Sequence, residues 1–261
     1  MSQLLRLHTK MLWRMYNTKP KTKRVLTCFT GIDGSGKTTL ATNLIAFMRN
    51  NGIDAQYVWG AHNVVLIRPV VSFLRKRGNP YTCKTSDTPP KRADFIKRLV
   101  RNRLLMNAYL GLTLTEYAFQ MLVKVRLPLL MGKNVVCDRY VFDTAINLAV
   151  NMRYSQGHFK SMLDAMLAWS PKPDVVFFVD LPEEVAFKRK NDIPSTDYLV
   201  KRRAFYHFFA QEYKVCRLNG FGDLALLKQS IANTMQGVCA LSTSSANCCV
   251  GSLPSSVECR R

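Results

Sequence analysis

Short apolar runs alternate with longer stretches of helical hydrophobic spacing along most of this chain. The apolar runs predict strands at about 25–30, 55–59, 135–138, 174–180 and, more weakly, 214–218. Apolar residues recurring at i, i+3 and i+4 predict helices at about 37–50, 64–77, 91–106, 108–131, 141–151, 158–169, from Pro182 onward, 197–213 and 223–236. Strands separated by helices pair in parallel. The pattern therefore predicts an α/β fold whose parallel sheet is covered by helices on both faces.

The two ends of the chain differ from this central pattern. Residues 1–24 form a basic N-terminal extension, in which residues 1–19 have amphipathic helical spacing and no acidic residue. Such a segment is typical of a mitochondrial transit peptide, or of a helix that docks on the protein or on a membrane surface. Residues 25–238 are expected to form the folded domain. The Ser- and Cys-rich tail 239–261 is expected to be mostly disordered, with a packed terminal arm as the alternative.

An excess of positive charge marks the composition, since 38 Lys and Arg residues face 17 Asp and Glu residues and give a net charge of +21. The excess concentrates in residues 1–24 and 68–103. Such a surface attracts anions, and two interpretations stay open. One is the basic surface of a protein that handles nucleotides, and the other is a site for a polyanion, either nucleic acid or an anionic membrane surface.

The cysteines and the apolar runs exclude some classes of protein. The eight cysteines include no C-x-x-C pair, which gives a zinc site or a thioredoxin-type site no support. A reducing compartment fits this usage, so we expect a cytoplasmic location, with mitochondrial targeting by residues 1–19 as the alternative. No apolar run approaches the length of about 18 residues that a transmembrane helix needs.

The sequence GIDGSGKTT, residues 31–39, lies between the first predicted strand and the first predicted helix. It matches G-x-x-x-x-G-K-[ST], and its context is the one expected of a phosphate-binding P-loop. Backbone N–H groups of such a loop point inward around an anion, Lys37 reaches the β- and γ-phosphates, and the Thr38 hydroxyl binds Mg²⁺. The predicted nucleotide-binding residues are Gly31, Gly34, Ser35, Gly36, Lys37, Thr38 and Thr39.

An acidic residue followed by arginine ends the third predicted strand, as Asp138-Arg139. Ligands of parallel sheets bind at the carboxyl ends of strands, so Asp138 is expected beside the metal and Arg139 on a second phosphate. This pair favours phosphoryl transfer between two phosphate-bearing molecules. Asp180 also ends an apolar strand and is the alternative metal-proximal acid. It lacks a following arginine, so we expect it to organise the turn and cap the next helix.

Several segments together resemble one family over about residues 24–237: FTGIDGSGKTTL, NVVCDRY, PKPDVVFFVDLPEEVAFKRK, DYLVKRRAFYHFF and LNG-FGDL. They are similar to the thymidylate kinase family of P-loop nucleoside monophosphate kinases. The resemblance implies a P-loop NTPase-type three-layer sandwich with a five-stranded parallel sheet. It also implies ATP as donor, Mg²⁺ as cofactor, and a lid near residues 188–197 that closes over the phosphates.

The resemblance also implies roles for single residues. Asp33 would bind the sugar hydroxyl of the acceptor, and Arg139 would bind its phosphate. Arg189 would act as a catalytic cation of the lid together with Lys188 and Lys190, and a solvated helix end is the alternative for these three.

The chain departs from the family pattern on the acceptor side. Trp59-Gly-Ala-His62-Asn63 stands where the family has a Glu-Pro-Gly-Gly loop. Tyr117 falls where the family has a base-contacting arginine, and Asn147 falls where a tyrosine commonly crowds the sugar 2′ position. Tyr117 would stack on a base or pack in the core. His62 would contact a phosphate or face no ligand.

The expected function is therefore ATP- and Mg²⁺-dependent phosphoryl transfer to a nucleoside monophosphate, with dTMP as the leading candidate. One alternative is a non-catalytic or ATPase-type P-loop protein that binds nucleic acid. Another is a P-loop kinase for a different small acceptor, such as a nucleoside. Self-association as a homodimer is a further expectation.

Overall fold

A computed structural model describes residues 24–61, 103–190, 193–243 and 257–259. Its strands are β1 (Leu26–Thr30), β2 (Ala55–Trp59), β3 (Asn134–Asp138), β4 (Val175–Asp180), β5 (Cys216–Asn219) and β6 (Val257–Cys259). Its helices are α1 (Lys37–Asn50), α2 (Arg103–Met121), a π-helical turn (Leu122–Arg126), α3 (Leu127–Leu130), α4 (Val141–Met152), α5 (Gln156–Trp169), α6 (Glu183–Arg189), α7 (Thr196–Glu212) and α8 (Leu224–Thr243). The predictions for residues 1–23, for the 64–77 helix, for the 91–102 part of the next helix and for His62 lie outside these residues.

The described strands form one sheet in the order β2-β3-β1-β4-β5-β6. The first five are parallel, with Cys28 opposite Cys137 on one side of β1 and opposite Val176 on the other. This confirms the predicted five-stranded parallel sheet. The short strand β6 adds an antiparallel partner at the edge beside β5, where Cys216 lies opposite Cys259. Pairing at this edge satisfies backbone groups of β5 that would otherwise face solvent.

The chain end therefore differs from the expected disorder at two places. Helix α8 continues to Thr243, past its predicted end at 236. Residues 257–259 form β6, a strand that no alternating apolar pattern predicts. The prediction for the rest of the tail concerns residues outside the described ranges.

Helices cover both faces of the sheet because successive side chains of its central strand point to opposite faces. Leu26 and Cys28 join a core built with α2, α4, α5 and α7. Val25 and Phe29 join a second core built with α1 and α8. The result is the predicted three-layer sandwich, with β1 buried at its centre.

The predicted helix at 108–131 is one helical segment interrupted by the π-helical turn. Pro128 lies in the first turn of α3 and has no N–H to donate to the carbonyl one turn earlier. The Leu127 N–H instead donates to the Leu122 carbonyl, five residues back. The wider turn therefore accommodates the proline. Among the helices of the described ranges, none combines the length and the apolar character that crossing a membrane requires.

Candidate active site

The glycine-rich loop follows β1 and lies at the carboxyl end of the sheet, where β1 is flanked by β3 and β4. Gly31 has φ 145° and Gly34 has φ 84°, backbone angles that residues other than glycine rarely adopt. A Cβ at Gly31 would stand 2.5 Å from the Val179 carbonyl oxygen, and one at Gly34 would stand 2.5 Å from the Ala186 carbonyl oxygen. The loop is therefore pressed against β4 and α6 at positions where only glycine fits.

Lys37 opens α1 and is almost entirely buried. Its Nζ donates to the Ile32 carbonyl oxygen at 2.6 Å and to Ser35 Oγ at 3.3 Å, so the side chain curls back over the loop. Burial, followed by the positive charge of Arg139, lowers the pKa of this amine to about 8, although nearby aspartates act in the opposite direction. An anion in the loop would stabilise the charged amine and raise its pKa again.

Asp138 ends β3 and faces the first turn of α1. Its Oδ2 accepts hydrogen bonds from Thr38 Oγ1 at 2.5 Å and from the Tyr57 hydroxyl at 2.9 Å. Its other oxygen, Oδ1, is buried and has no hydrogen-bond partner among the residues that the structure describes. The predicted pair Thr38–Asp138 is therefore in direct contact. Tyr57 joins it from β2, a contribution that the sequence analysis missed because the side chain lies 81 positions away.

Arg139 adopts a left-handed backbone conformation, φ 68°, directly after β3. Its N–H donates to the Phe29 carbonyl at 2.9 Å, and its own carbonyl lies so close to Gly60 that a Cβ there would collide with it. Its guanidinium forms an ion pair with Asp33 across the loop. The two residues assigned by resemblance to one acceptor therefore contact each other.

The charges of this pair support one another. Burial alone would raise the pKa of Asp33, but Arg139 and Lys37 outweigh it, so the pKa is lowered and the group is a carboxylate at neutral pH. Burial alone would lower the pKa of Arg139. The negative charges of Asp143 and Asp33 outweigh burial and raise it.

A layer of side chains from α7 covers the Asp33 side of the loop. The Tyr198 hydroxyl lies 3.5 Å from Asp33 Oδ2. The Arg202 guanidinium stacks 3.4 Å from the centre of the Tyr198 ring, and its Nε donates to Asn147 Oδ1 at 3.0 Å. Asn147 is thereby joined to the layer, which the chain order of these residues did not reveal.

Tyr117 occupies a different environment. Its ring is fully buried and packs edge-on against Trp169, with ring centroids 6.2 Å apart. Its hydroxyl donates to the Gly60 carbonyl at 3.0 Å. These are the contacts of a core residue that supports the loop after β2 from behind. Its role in acceptor binding stays a prediction.

The lid predicted near 188–197 is described except for residues 191 and 192. Arg189 Nη1 donates to the Gly220 carbonyl at 3.2 Å, which draws the end of α6 toward the loop after β5. Ser195 caps α7 by accepting the Tyr198 N–H at 3.2 Å.

Asp180 has its contacts with residues other than Thr38 and Asp138. Its carboxylate accepts from Arg203 Nε at 3.3 Å and from Arg217 Nε at 3.1 Å, and His207 lies 3.4 Å away. Helix α6 has Pro182 at its N-cap and no side-chain cap. The prediction that Asp180 caps this helix is therefore wrong. The aspartate is neutralised by arginines from α7 and β5, partners that no local motif indicated.

A cavity of about 490 Å³ opens above the loop. Its lining residues are Asp33, Gly34, Ser35, Gly36, Lys37, Thr38, Thr39, Leu40, Arg139, Arg189, Lys190, Gly220, Gly222, Leu224 and Leu227. Most predicted site residues thus meet at one cavity. Gly31 and Asp138 lie directly behind it, and neither Tyr117 nor Asn147 belongs to the lining. Within the described ranges, no group of three or more His, Cys, Asp or Glu side chains is arranged to hold a metal ion.

A doubly covered parallel sheet with this loop at its centre defines the protein as a P-loop protein of the phosphate-transferring type. No family model matches the chain. The thymidylate kinase of Ehrlichia chaffeensis is 30% identical over 192 residues, which cover 68% of this chain and 79% of the relative. That of Wolbachia pipientis is 25% identical over 217 residues, 80% of this chain and 85% of the relative. The thymidylate kinase of Plasmodium falciparum is 24% identical over 179 residues, which cover 67% of this chain and 70% of the relative.

The chain therefore belongs to the thymidylate kinase family. Membership makes it a phosphotransferase of the nucleoside monophosphate kinase class. The matches come from bacteria and a protist, so the likeness does not depend on one lineage.

Proposed function

We propose that this protein transfers the γ-phosphoryl group of ATP to a nucleoside monophosphate, with dTMP as the leading acceptor. One observation carries the proposal. The same loop contains a buried lysine, Lys37, and an aspartate, Asp33, that forms an ion pair with Arg139. A loop that only bound ATP would need the lysine alone. The ion pair offers a carboxylate and a guanidinium, which suit a sugar hydroxyl and a phosphate. The choice of dTMP rests on the names of the relatives.

The donor would occupy the Lys37 side of the cavity. Backbone N–H groups at the N-terminus of α1 and the Lys37 ammonium would surround the β- and γ-phosphates. The lining residues Gly220, Leu224 and Leu227 extend the cavity with an apolar surface on which a purine ring would lie. Arg189 also lines the cavity, and its positive charge would stabilise the charge that develops on the transferred group.

The residues present fit Mg²⁺. Thr38 and Asp138 offer oxygen ligands in direct contact, and Asp138 Oδ1 is a buried oxygen that receives no hydrogen bond within the described part of the chain. Mg²⁺ is commonly held by one or two protein oxygens together with substrate phosphates and water, so a third acidic residue is not required. When bound, Mg²⁺ would neutralise charge on the β- and γ-phosphates.

The acceptor would occupy the Asp33 side. Arg139 would exchange its ion pair with Asp33 for a bidentate contact to the acceptor phosphate. Asp33 would then be available to a sugar hydroxyl, beneath the layer formed by Tyr198, Arg202 and Asn147. Both phosphates would meet above the loop, and catalysis would consist of positioning and charge neutralisation without a covalent intermediate.

The test is ADP release in a coupled assay across the nucleoside monophosphates, with Lys37→Met as the inactive variant. Lys37 supplies a charge at the loop rather than core packing, so we expect activity to fall by at least about a thousandfold while the chain stays folded. Lys172→Met removes an exposed lysine before β4 and serves as the matched control with full activity. Absence of turnover with every monophosphate, in a wild type that binds ATP, would contradict the proposal.

The same assay separates the alternatives. ADP release that needs no acceptor would indicate an ATPase, and release with nucleosides alone would indicate a nucleoside kinase. Nucleic-acid binding, membrane binding and self-association stay predictions. Of the two basic regions behind the polyanion hypothesis, the described ranges include only Arg24 and Arg103.

A further inference from the structure

A third carboxylate lies beneath the site, where it does not line the cavity. Asp143 is the third residue of α4 and is completely buried. Its Oδ2 accepts the Tyr140 backbone N–H at 2.9 Å and the Thr30 hydroxyl at 3.1 Å. Its Oδ1 accepts the Tyr206 hydroxyl at 2.7 Å. One carboxylate thus joins β1, the start of α4 and α7.

Two of these contacts involve residues that are adjacent in sequence to residues of the proposed site. Thr30 immediately precedes Gly31, the first residue of the phosphate-binding loop. Tyr140 immediately follows Arg139, whose left-handed backbone is fixed on its other side by the bond to Phe29. A shift of Tyr140 would therefore turn Arg139 directly.

Tyr206 carries the link to the covering layer on the Asp33 side. It lies four residues after Arg202 and eight after Tyr198, so the three side chains share one face of α7. The Tyr206 ring also stacks on Phe178 of β4, with ring planes 13° apart. The helix face that covers Asp33 is thus anchored at Asp143 by a single hydroxyl.

Asp143 and the basic residues of the site affect one another's pKa values. Burial raises the pKa of Asp143, and Arg139 and Lys37 act in the opposite direction. The negative charge of Asp143 raises the pKa of Arg139 more than the negative charge of Asp33 does. A guanidinium that leaves Asp33 for a phosphate therefore still has a second acidic side chain, Asp143, close to it.

We propose that Asp143 is a positioning residue that holds Arg139 and the Asp33-covering face of α7 in register with the phosphate-binding loop, with Tyr206 as the connection to α7. This inference rests on the proposed function, since the group that it positions is the acceptor-phosphate arginine. It predicts an effect on acceptor binding in preference to ATP binding. A carboxylate that only stabilised the fold would affect neither KM.

The test variant is Tyr206→Phe, which removes one hydroxyl and keeps the ring. Its matched control is Tyr213→Phe, because the Tyr213 hydroxyl, also near α7, donates to an aspartate, Asp164, at 2.6 Å outside the site. We expect Tyr206→Phe to raise the KM for the monophosphate about tenfold, the value of one hydrogen bond to a charged group, and to leave the KM for ATP within about twofold. Tyr213→Phe is expected to change neither. An unchanged acceptor KM in Tyr206→Phe would overturn the inference.

A second measurement does not depend on activity. Hydrogen exchange at the Tyr140 amide reports the bond to Asp143, and we expect faster exchange in Tyr206→Phe than in the wild type and in Tyr213→Phe. Equal exchange in the three proteins would overturn the inference. A wild type that phosphorylates no monophosphate would contradict the proposed function, while the exchange rates would still decide the positioning role.

Substitution of the carboxylate itself provides a rescue series. Asp143→Asn keeps an oxygen for Tyr140 and Thr30, whereas Asp143→Ala removes every contact. We expect the acceptor KM to rise more in the alanine variant than in the asparagine variant, and in each variant to rise more than the ATP KM. Should Asp143→Ala fail to fold, Asp143→Asn and Tyr206→Phe carry the test.

Discussion

Replacing Tyr57 with phenylalanine tests how the proposed metal site is held. The Tyr57 hydroxyl donates to Asp138 Oδ2 at 2.9 Å, and Thr38 donates to the same oxygen, while no described residue donates to Oδ1. Burial, followed by the charge of Asp138, raises the pKa of Tyr57, so its hydroxyl keeps the proton that this bond needs at neutral pH. In Tyr57→Phe the carboxylate is held by Thr38 alone and is free to rotate away from the metal.

The expected size of the effect follows from this geometry. Partners that orient a metal ligand are worth about 10- to 100-fold in metal affinity. A hydrogen bond to a charged acceptor is worth about 1.5–3 kcal/mol, which gives the same range. We therefore expect the Mg²⁺ concentration for half-maximal rate to rise about 10- to 100-fold, with most of kcat recovered at saturating Mg²⁺.

The assay is ADP release as a function of free Mg²⁺ at fixed ATP and acceptor. Tyr213→Phe is the control, because it removes a similar tyrosine–aspartate bond outside the site. ATP binding measured without Mg²⁺ should be equal in both variants and the wild type. An unchanged Mg²⁺ requirement in Tyr57→Phe would refute the reasoning. So would a lower kcat that added Mg²⁺ did not restore.

Two further predictions follow from the loop. The buried Lys37 amine has a pKa of about 8, and a bound triphosphate would raise it, so the Kd for ATP should change little just below pH 8 and should rise by up to about tenfold per pH unit above it. Titration calorimetry of ATP from about pH 7.5 to about pH 9.5, where the phosphates of ATP are fully ionised, tests this, and a flat profile in Lys37→Arg, whose side chain keeps its charge, is the control. Gly34→Ala combines φ 84° with a Cβ placed 2.5 Å from the Ala186 carbonyl, whereas Gly52→Ala has φ 71° and open space. We expect Gly52→Ala to cost about 1–2 kcal/mol in urea unfolding and Gly34→Ala to cost more and to abolish ATP binding. Equal costs in the two variants would contradict the close packing of the loop.

The sequence predicted the parts of this protein that are encoded locally. Apolar runs predicted β1, β3 and β4, and the spacing of glycines and lysine predicted the phosphate-binding loop. In each case the residues that act together are neighbours in the chain.

Contacts between distant elements left no such signal. Tyr57 meets Asp138 across 81 positions, and Tyr206 meets Asp143 across 63. Each is a tyrosine within an otherwise ordinary strand or helix pattern, so only the packed fold brings its hydroxyl to a carboxylate. The strand β6 was not predicted for a similar reason. It forms by pairing with the open edge of β5, and its own three residues carry no pattern that indicates a strand.

The measurement that most directly tests the central claim follows the γ-phosphoryl group itself. The wild type would be incubated with Mg²⁺ and γ-labelled ATP in the presence of dTMP, and in parallel with the other nucleoside monophosphates. A loop that is shared by a donor and an acceptor predicts label in a nucleoside diphosphate, with dTDP as the leading product. Label that appears only as inorganic phosphate, or that stays in ATP although ATP binds, would contradict it.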